Sequence, residues 1–195
     1  MAGRRRKKDF PTIEQLEREV KRENYKDNYK KTLRSTVFTL VTVSAFAILI
    51  AVLWLPVLEI YGHSMTPTLS NGNIVISLKG SSFKKGDVIA FYYNNKILVK
   101  RVIGGPGDWI DIKDNGDVYV NNKKLNEPYV SDKALGDCNI ELPYQVPDER
   151  YFVMGDHRSV SVDSRNSSIG CVSDEQIVGR LLCRIWPLTK LSFIN

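Results

Sequence analysis

The chain has 195 residues, 43% of them hydrophobic and 26% charged, enough for one core and a small appendage. That length excludes a large multidomain machine, and that composition excludes wholesale disorder. Three cysteines cannot make a disulfide-dense scaffold, and no CxxC or Cys/His spacing suggests zinc. A net charge of +6 would suggest nucleic acid if it were spread along the chain, but residues 1–35 alone hold 12 Lys/Arg against 6 Asp/Glu. The remainder is neutral, so nucleic acid is not an expected partner.

Between Arg34 and Glu59 lie 24 residues without a charge, Ser35 to Leu58. As a helix they extend about 36 Å, and a bilayer core is about 30 Å thick. The run VFTLVTVSAFAILIAVLWLP is apolar on every side, unlike a surface helix. Trp54 and Tyr61 fall near its far end, where interfacial aromatics belong. The expected organisation is a basic cytoplasmic segment over 1–35, a transmembrane anchor over 36–58, and an extracytoplasmic domain over 59–195. The lipid bilayer is then a partner, and the basic N-terminus places the start of the chain inside. A cleaved secretory signal peptide is the alternative, but the run is long for one and no A-x-A site follows it directly. Thr12 to Lys31 is charge-dense and reads as a solvated, helical segment at the membrane surface.

From residue 60 the pattern turns to period 2 with frequent turn residues, which predicts a mostly β domain. Expected strands are Ile74–Ile76, Val88–Tyr93, Ile97–Ile103, Trp109–Ile112, Val118–Val120, Tyr151–Met154 and Ile177–Trp186. The Asp114-Asn115-Gly116-Asp117 run between the fourth and fifth is a hairpin signal. Residues at about 108–150, loop-rich from 121 onward, form a small excursion between two core strands.

Chemistry is concentrated in a few places. Ser64 lies between Gly62 and Pro67, where a turn can present a hydroxyl and its own N–H. A nucleophilic serine needs a base. His63 is its neighbour, and adjacent residues of an extended chain point to opposite sides. His157, beside Asp156, leaves an Asp-His-Ser triad open. Lys100 is the other choice: strand alternation puts Leu98 and Val102 on its face, and burial lowers the pKa of a lysine. A lysine snorkelling from a strand edge is the plainer reading.

Four segments occur in order: SMTPTL from Ser64, KGDVIAF from Lys85, KRVIGGPGD from Lys100, and MGDHRSVSVDSR from Met154. Together they resemble the conserved boxes of type I signal peptidases of the Gram-positive type. The likeness extends to VNNK with EPY at 120–129 and RIWP at 184–187, so it runs from the anchor to residue 187. The resemblance implies a signal-peptidase-like β-fold behind one transmembrane helix, a membrane-bound serine endopeptidase with a Ser-Lys dyad, and signal peptides of secretory preproteins as substrates. It matches Ser64 to the nucleophile and Lys100 to the general base. It matches Ser161 to a serine that hydrogen-bonds the lysine, Asp163 and Arg165 to a supporting ion pair, and Gly155 to a glycine packed close to the lysine. Gly62 stands where some relatives carry a serine that helps the oxyanion. The hole would then rest on the Ser64 N–H and backbone at Gly62.

Neutral Lys100 would take the Ser64 proton, and an acyl-enzyme would form and be hydrolysed. No metal or organic cofactor is expected. Small residues at the first and third positions before the cut would enter shallow apolar pockets, with Ile60, Met65, Leu69, Val75 and Val99 as candidate walls. Two other readings share parts of this pattern. A self-cleaving repressor-type Ser-Lys peptidase would need a DNA-binding module, for which residues 1–35 are too short. An inactive peptide-binding β-domain would leave Ser64 unreactive. The cysteines are expected to be unpaired, with Cys183 buried.

Overall fold

The structure is a computed structural model that describes residues 11–80 and 82–194. The Arg4–Lys8 part of the basic segment lies outside the described residues. Helix α1 runs from Ile13 to Trp54, 42 residues with none buried. It takes in the charged stretch and the apolar run without a break, and its C-terminal half is long and apolar enough to cross a membrane. It ends at Trp54, four residues before the expected limit at Leu58. Pro56 lacks an N–H and disfavours the α conformation at Leu55, so the helix stops there. Val57 and Leu58, expected in the anchor, enter a sheet instead.

The β unit contains strands β1 (Val57–Glu59), β2 (Ile74–Leu78), β3 (Val88–Tyr93), β4 (Lys96–Gly104), β5 (Trp109–Ile112) and β6 (Val118–Val120). These are followed by β7 (Lys123–Lys124), β8 (Tyr144–Gln145), β9 (Arg150–Met154), β10 (Val172–Ser173), β11 (Ile177–Trp186) and β12 (Ser192–Phe193). The large sheet has the order β1-β2-β11-β3-β4-β9-β10, with β12 beside β11. A second sheet, β7-β6-β5-β8, is built from the excursion. All pairs are antiparallel. The mostly β architecture is the one the alternation predicts. The strands not expected, β1, β7, β8, β10 and β12, have two or three residues, too few to show a period without the hairpin signal that marks the equally short β6.

Three apolar clusters hold the unit together. One joins Ile103, Phe152 and Met154 of the large sheet to Ile110, Ile112, Val118 and Val120 of the small one. A second gathers Ile60, Met65, Leu69, Val75, Val88, Ala90 and Leu181. A third contains Ile89, Phe91, Val102, Tyr151 and Val153. Fully burying a side chain of this size contributes about 1.5–3 kcal/mol.

Position in the sheet decides what lies open. Among the described residues, strand β1 pairs only with β2. Strand β4 pairs with β3 from Lys96 onward, but β9 joins it only from Arg101. One edge of β1 and the Lys96–Lys100 edge of β4 therefore face no other described strand. Four antiparallel steps separate these strands, so they run in the same direction.

Candidate active site

Ser64 sits on the loop between β1 and β2. Ile60 N–H donates to Asn73 O, and Gly72 N–H to Ile60 O, each at 2.8 Å, so the loop is pinched at its base. Gly62 has φ +92°, a left-handed conformation that strains other residues. Its N–H donates to Asn71 Oδ1 at 2.9 Å. That N–H is therefore engaged within the loop. The Ser64 N–H takes part in none of the loop's backbone bonds. The Ser64 carbonyl accepts from His157 N–H at 3.0 Å, which ties the loop to the segment after β9.

Lys100 is in β4, paired with Ile89 of β3 and only 4% exposed. Leu98 and Val102, its neighbours along one face, both join the third cluster. Its Nζ lies 2.6 Å from Ser64 Oγ. Burial pushes its pKa down to about 8, against the upward pull of Asp163 and Asp156, while Arg165 adds to the depression. A lysine poised there holds an appreciable neutral fraction near neutrality.

The segment after β9 frames the pair. Asp163 and Arg165 form a two-pronged ion pair, Nε to Oδ1 and Nη2 to Oδ2, both at 2.8 Å and fully buried. Asp163 Oδ2 also accepts from Gly155 N–H at 2.9 Å. Arg165 further donates to the carbonyls of Arg158, Ser161 and Leu135, which ties the excursion to this segment. Ser161 is buried here, but its Oγ makes no hydrogen bond, so the bond to the lysine implied by resemblance is not formed. The Lys100 amine is directed at Ser64 instead. A Cβ on Gly155 would overlap Ser161 Oγ and stand 2.5 Å from Ser64 O.

A groove of about 640 Å³ leads to the pair, walled by β1 with the start of its loop and by the free edge of β4. Ile60, Met65 and Val99 line it, joined by Leu58 and Leu98. Leu69 and Val75 do not. Both are fully buried within the second cluster, because the turn closed by Leu69 N–H to Met65 O folds Leu69 inward and Val75 faces the core from mid-strand. Tyr61, expected at a membrane interface, also lines the groove.

Among the described residues, Lys100 is hydrogen-bonded to the serine hydroxyl and neither histidine is. His63 is exposed, and His157 Nε2 faces Asp132 Oδ2 at 3.5 Å. The three cysteines are unpaired, with Cys171 rather than Cys183 buried.

Buried charges that strand alternation does not reveal surround Asp156. Arg101 Nε and Nη2 donate to the two Asp156 oxygens at 2.9 and 2.8 Å. Thr68 Oγ1 donates to Asp156 Oδ2 at 2.5 Å, and the Arg101 guanidinium lies 3.9 Å from the Tyr129 ring centre. A second buried pair joins Arg158 to Glu127. The only available signal was their place inside the ordered boxes, since a charged residue in a strand looks locally like a solvated one. Asp156→Ala should destabilise the protein by about 3–5 kcal/mol, because it breaks a buried, two-pronged ion pair with Arg101. Urea unfolding of the variant measures this, and a loss below about 1 kcal/mol would mean that Arg101 finds another counter-charge.

The model of the family described as signal peptidase, peptidase S26 matches residues 33–186. The chain belongs to this family. Signal peptidase IB of Staphylococcus aureus (strain MRSA252) is 38% identical over 154 residues, spanning 69% of this chain and 79% of the relative. Signal peptidase I S of Bacillus subtilis (strain 168) is 37% identical over 147 residues, spanning 69% and 78%. The crystal structure of a signal peptidase I from Enterococcus faecalis V583 is 30% identical with a TM-score of 0.42, covering 51% of this chain and 97% of that one. The protein is thus a serine peptidase, a hydrolase of the signal peptidase type.

For this peptidase, Gly155→Ala is an informative change. The added methyl overlaps both the Ser161 side chain and the Ser64 carbonyl, so both must give way. A displacement of about 1 Å at a reacting group costs about 100-fold in rate. Turnover by folded Gly155→Ala enzyme should fall by that order, and near-parental turnover would show that the loop adjusts without moving Ser64.

Proposed function

We propose that the peptidase cleaves signal peptides from secretory preproteins with Ser64 as nucleophile and Lys100 as general base. The observation that carries this reading is the 2.6 Å approach of Lys100 Nζ to Ser64 Oγ at the end of an apolar groove. Neutral Lys100 accepts the Ser64 proton as Oγ attacks the scissile carbonyl. The Ser64 N–H stabilises the oxyanion. The protonated amine gives its proton to the leaving nitrogen, and an ester remains on Ser64. Lys100, neutral again, takes a proton from the water that attacks the ester, then returns it to Ser64 Oγ as the acyl–oxygen bond breaks and the new carboxyl end leaves.

The free edges of β1 and β4 suit an extended substrate held by main-chain hydrogen bonds. The groove runs back from Ser64 and Lys100 toward the starts of both strands. Substrate residues before the cut fill it when the peptide runs parallel to β1 and β4. Small side chains at the first and third positions then face Ile60, Met65 and Val99. The apolar half of α1 spans the bilayer, and the basic residues before it hold the N-terminus in the cytoplasm. The β unit then works at the extracytoplasmic surface, where signal peptides emerge.

Incubation of the full-length protein with a preprotein, followed by sequencing of the new N-terminus, tests this. The expected product begins directly after a small-x-small motif. An uncleaved preprotein, or cleavage unrelated to that motif, would overturn it.

A further inference from the structure

The groove has an apolar floor but opposite charges on its two walls. Glu59 stands on β1 between Leu58 and Ile60, which both pack into the second cluster. Alternation turns Glu59 the other way, and it is exposed while still lining the groove. Tyr61 donates from its hydroxyl to Glu59 Oε2 at 2.9 Å, which fixes the carboxylate. Lys96, at the start of β4, lines the facing wall and is exposed. Among the described residues, neither Glu59 nor Lys96 has an ion-pair partner. The two differ in how they are held. The Glu59 carboxylate accepts a hydrogen bond, whereas Lys96 is exposed with no hydrogen bond to its amine among the described residues.

A peptide whose first and third residues before the cut face the floor must turn its second and fourth outward, on the side that Glu59 occupies. We propose that Glu59 is a specificity-determining residue that favours Lys or Arg, over Asp or Glu, at the second or fourth position before the cleaved bond. This rests on the groove being the substrate site. Lys96 opposes the selection weakly from the other wall.

The test uses the full-length protein in detergent and versions of one preprotein that differ only at the second or the fourth position before the cut, carrying Lys, Gln or Glu there. The kcat/KM values should fall in the order Lys, Gln, Glu at one of these positions, by about two- to five-fold per step at low salt, and less at high salt. Glu59→Gln should flatten the series and Glu59→Lys should invert it. Tyr61→Phe, which frees the carboxylate, should make it shallower, and Lys96→Gln should make it steeper. Because each series is a ratio within one variant, a general loss of activity cancels. A Glu59→Gln series as steep as the parent's, or equal rates for all versions by the parent, overturns the inference and leaves the peptidase reading standing. Failure of the parent to cleave any version removes that reading first, and this inference with it.

Discussion

Ser64→Ala is expected to keep the fold and abolish cleavage, by roughly 10⁶-fold, the scale seen when a nucleophile is removed from a serine peptidase. The fold should survive because the bonds that set the loop are not made by the hydroxyl. Ile60, Gly72 and Leu69 close it through backbone N–H groups, and the Ser64 carbonyl still accepts from His157. The variant should fold, with a stability loss of no more than about 1–3 kcal/mol from the bond the buried Lys100 amine gives up. An acylating probe that labels the parent at Ser64 should leave the variant unlabelled. Near-normal turnover by Ser64→Ala would remove the central claim, and labelling of a different residue would relocate the nucleophile.

Lys100→Arg should be inactive to a similar degree. Arginine keeps the charge but has no neutral form within reach of neutral pH, so it cannot accept the Ser64 proton. Its guanidinium must also fit where a 4% exposed ammonium now sits. His63→Ala and His157→Ala should retain substantial activity, since neither imidazole is bonded to Ser64. In the parent, kcat/KM should rise with pH and level off above about 8, the value to which burial lowers Lys100. About a tenth of the molecules hold the neutral amine one pH unit below that point, and about nine-tenths one unit above. A profile with its midpoint near the ordinary imidazole value would count against lysine as the base.

The same shift has a consequence for stability. The folded pKa of about 8 lies below the ordinary 10.5, so between these values the unfolded chain binds more protons than the folded one. The Lys100 contribution is therefore most favourable above pH 10.5, declines as pH falls toward 8, and is constant below that. The full span is roughly 3 kcal/mol. Lys100→Met should then be more stable than the parent at pH 7 while inactive, and the gain should vanish near pH 11. Chemical unfolding at both pH values measures it.

Much of this protein was legible along the chain. Alternation and turn residues located the longer strands because period 2 is a property of consecutive residues. The uncharged run announced a membrane-length helix for the same local reason. The ordered boxes named Ser64, Lys100, Asp163 and Arg165 through resemblance, and the structure brings all four together. Other features depend on residues far apart in the sequence. Lys100 meets Ser64 across 36 positions, and Arg101 meets Asp156 across 55. Composition cannot distinguish Leu69 and Val75, sealed in the core, from Val99 on the groove wall, because all are apolar and burial is set by which strands pack over them. Local sequence likewise could not show that Asn71 takes the Gly62 N–H, or that the Ser161 hydroxyl packs on Gly155 unpaired. The sequence by itself determined the elements and the chemical groups available. Tertiary structure decided which groups are desolvated, which donors are already engaged and which strand edges stay free, since each depends on neighbours that only the folded chain assembles.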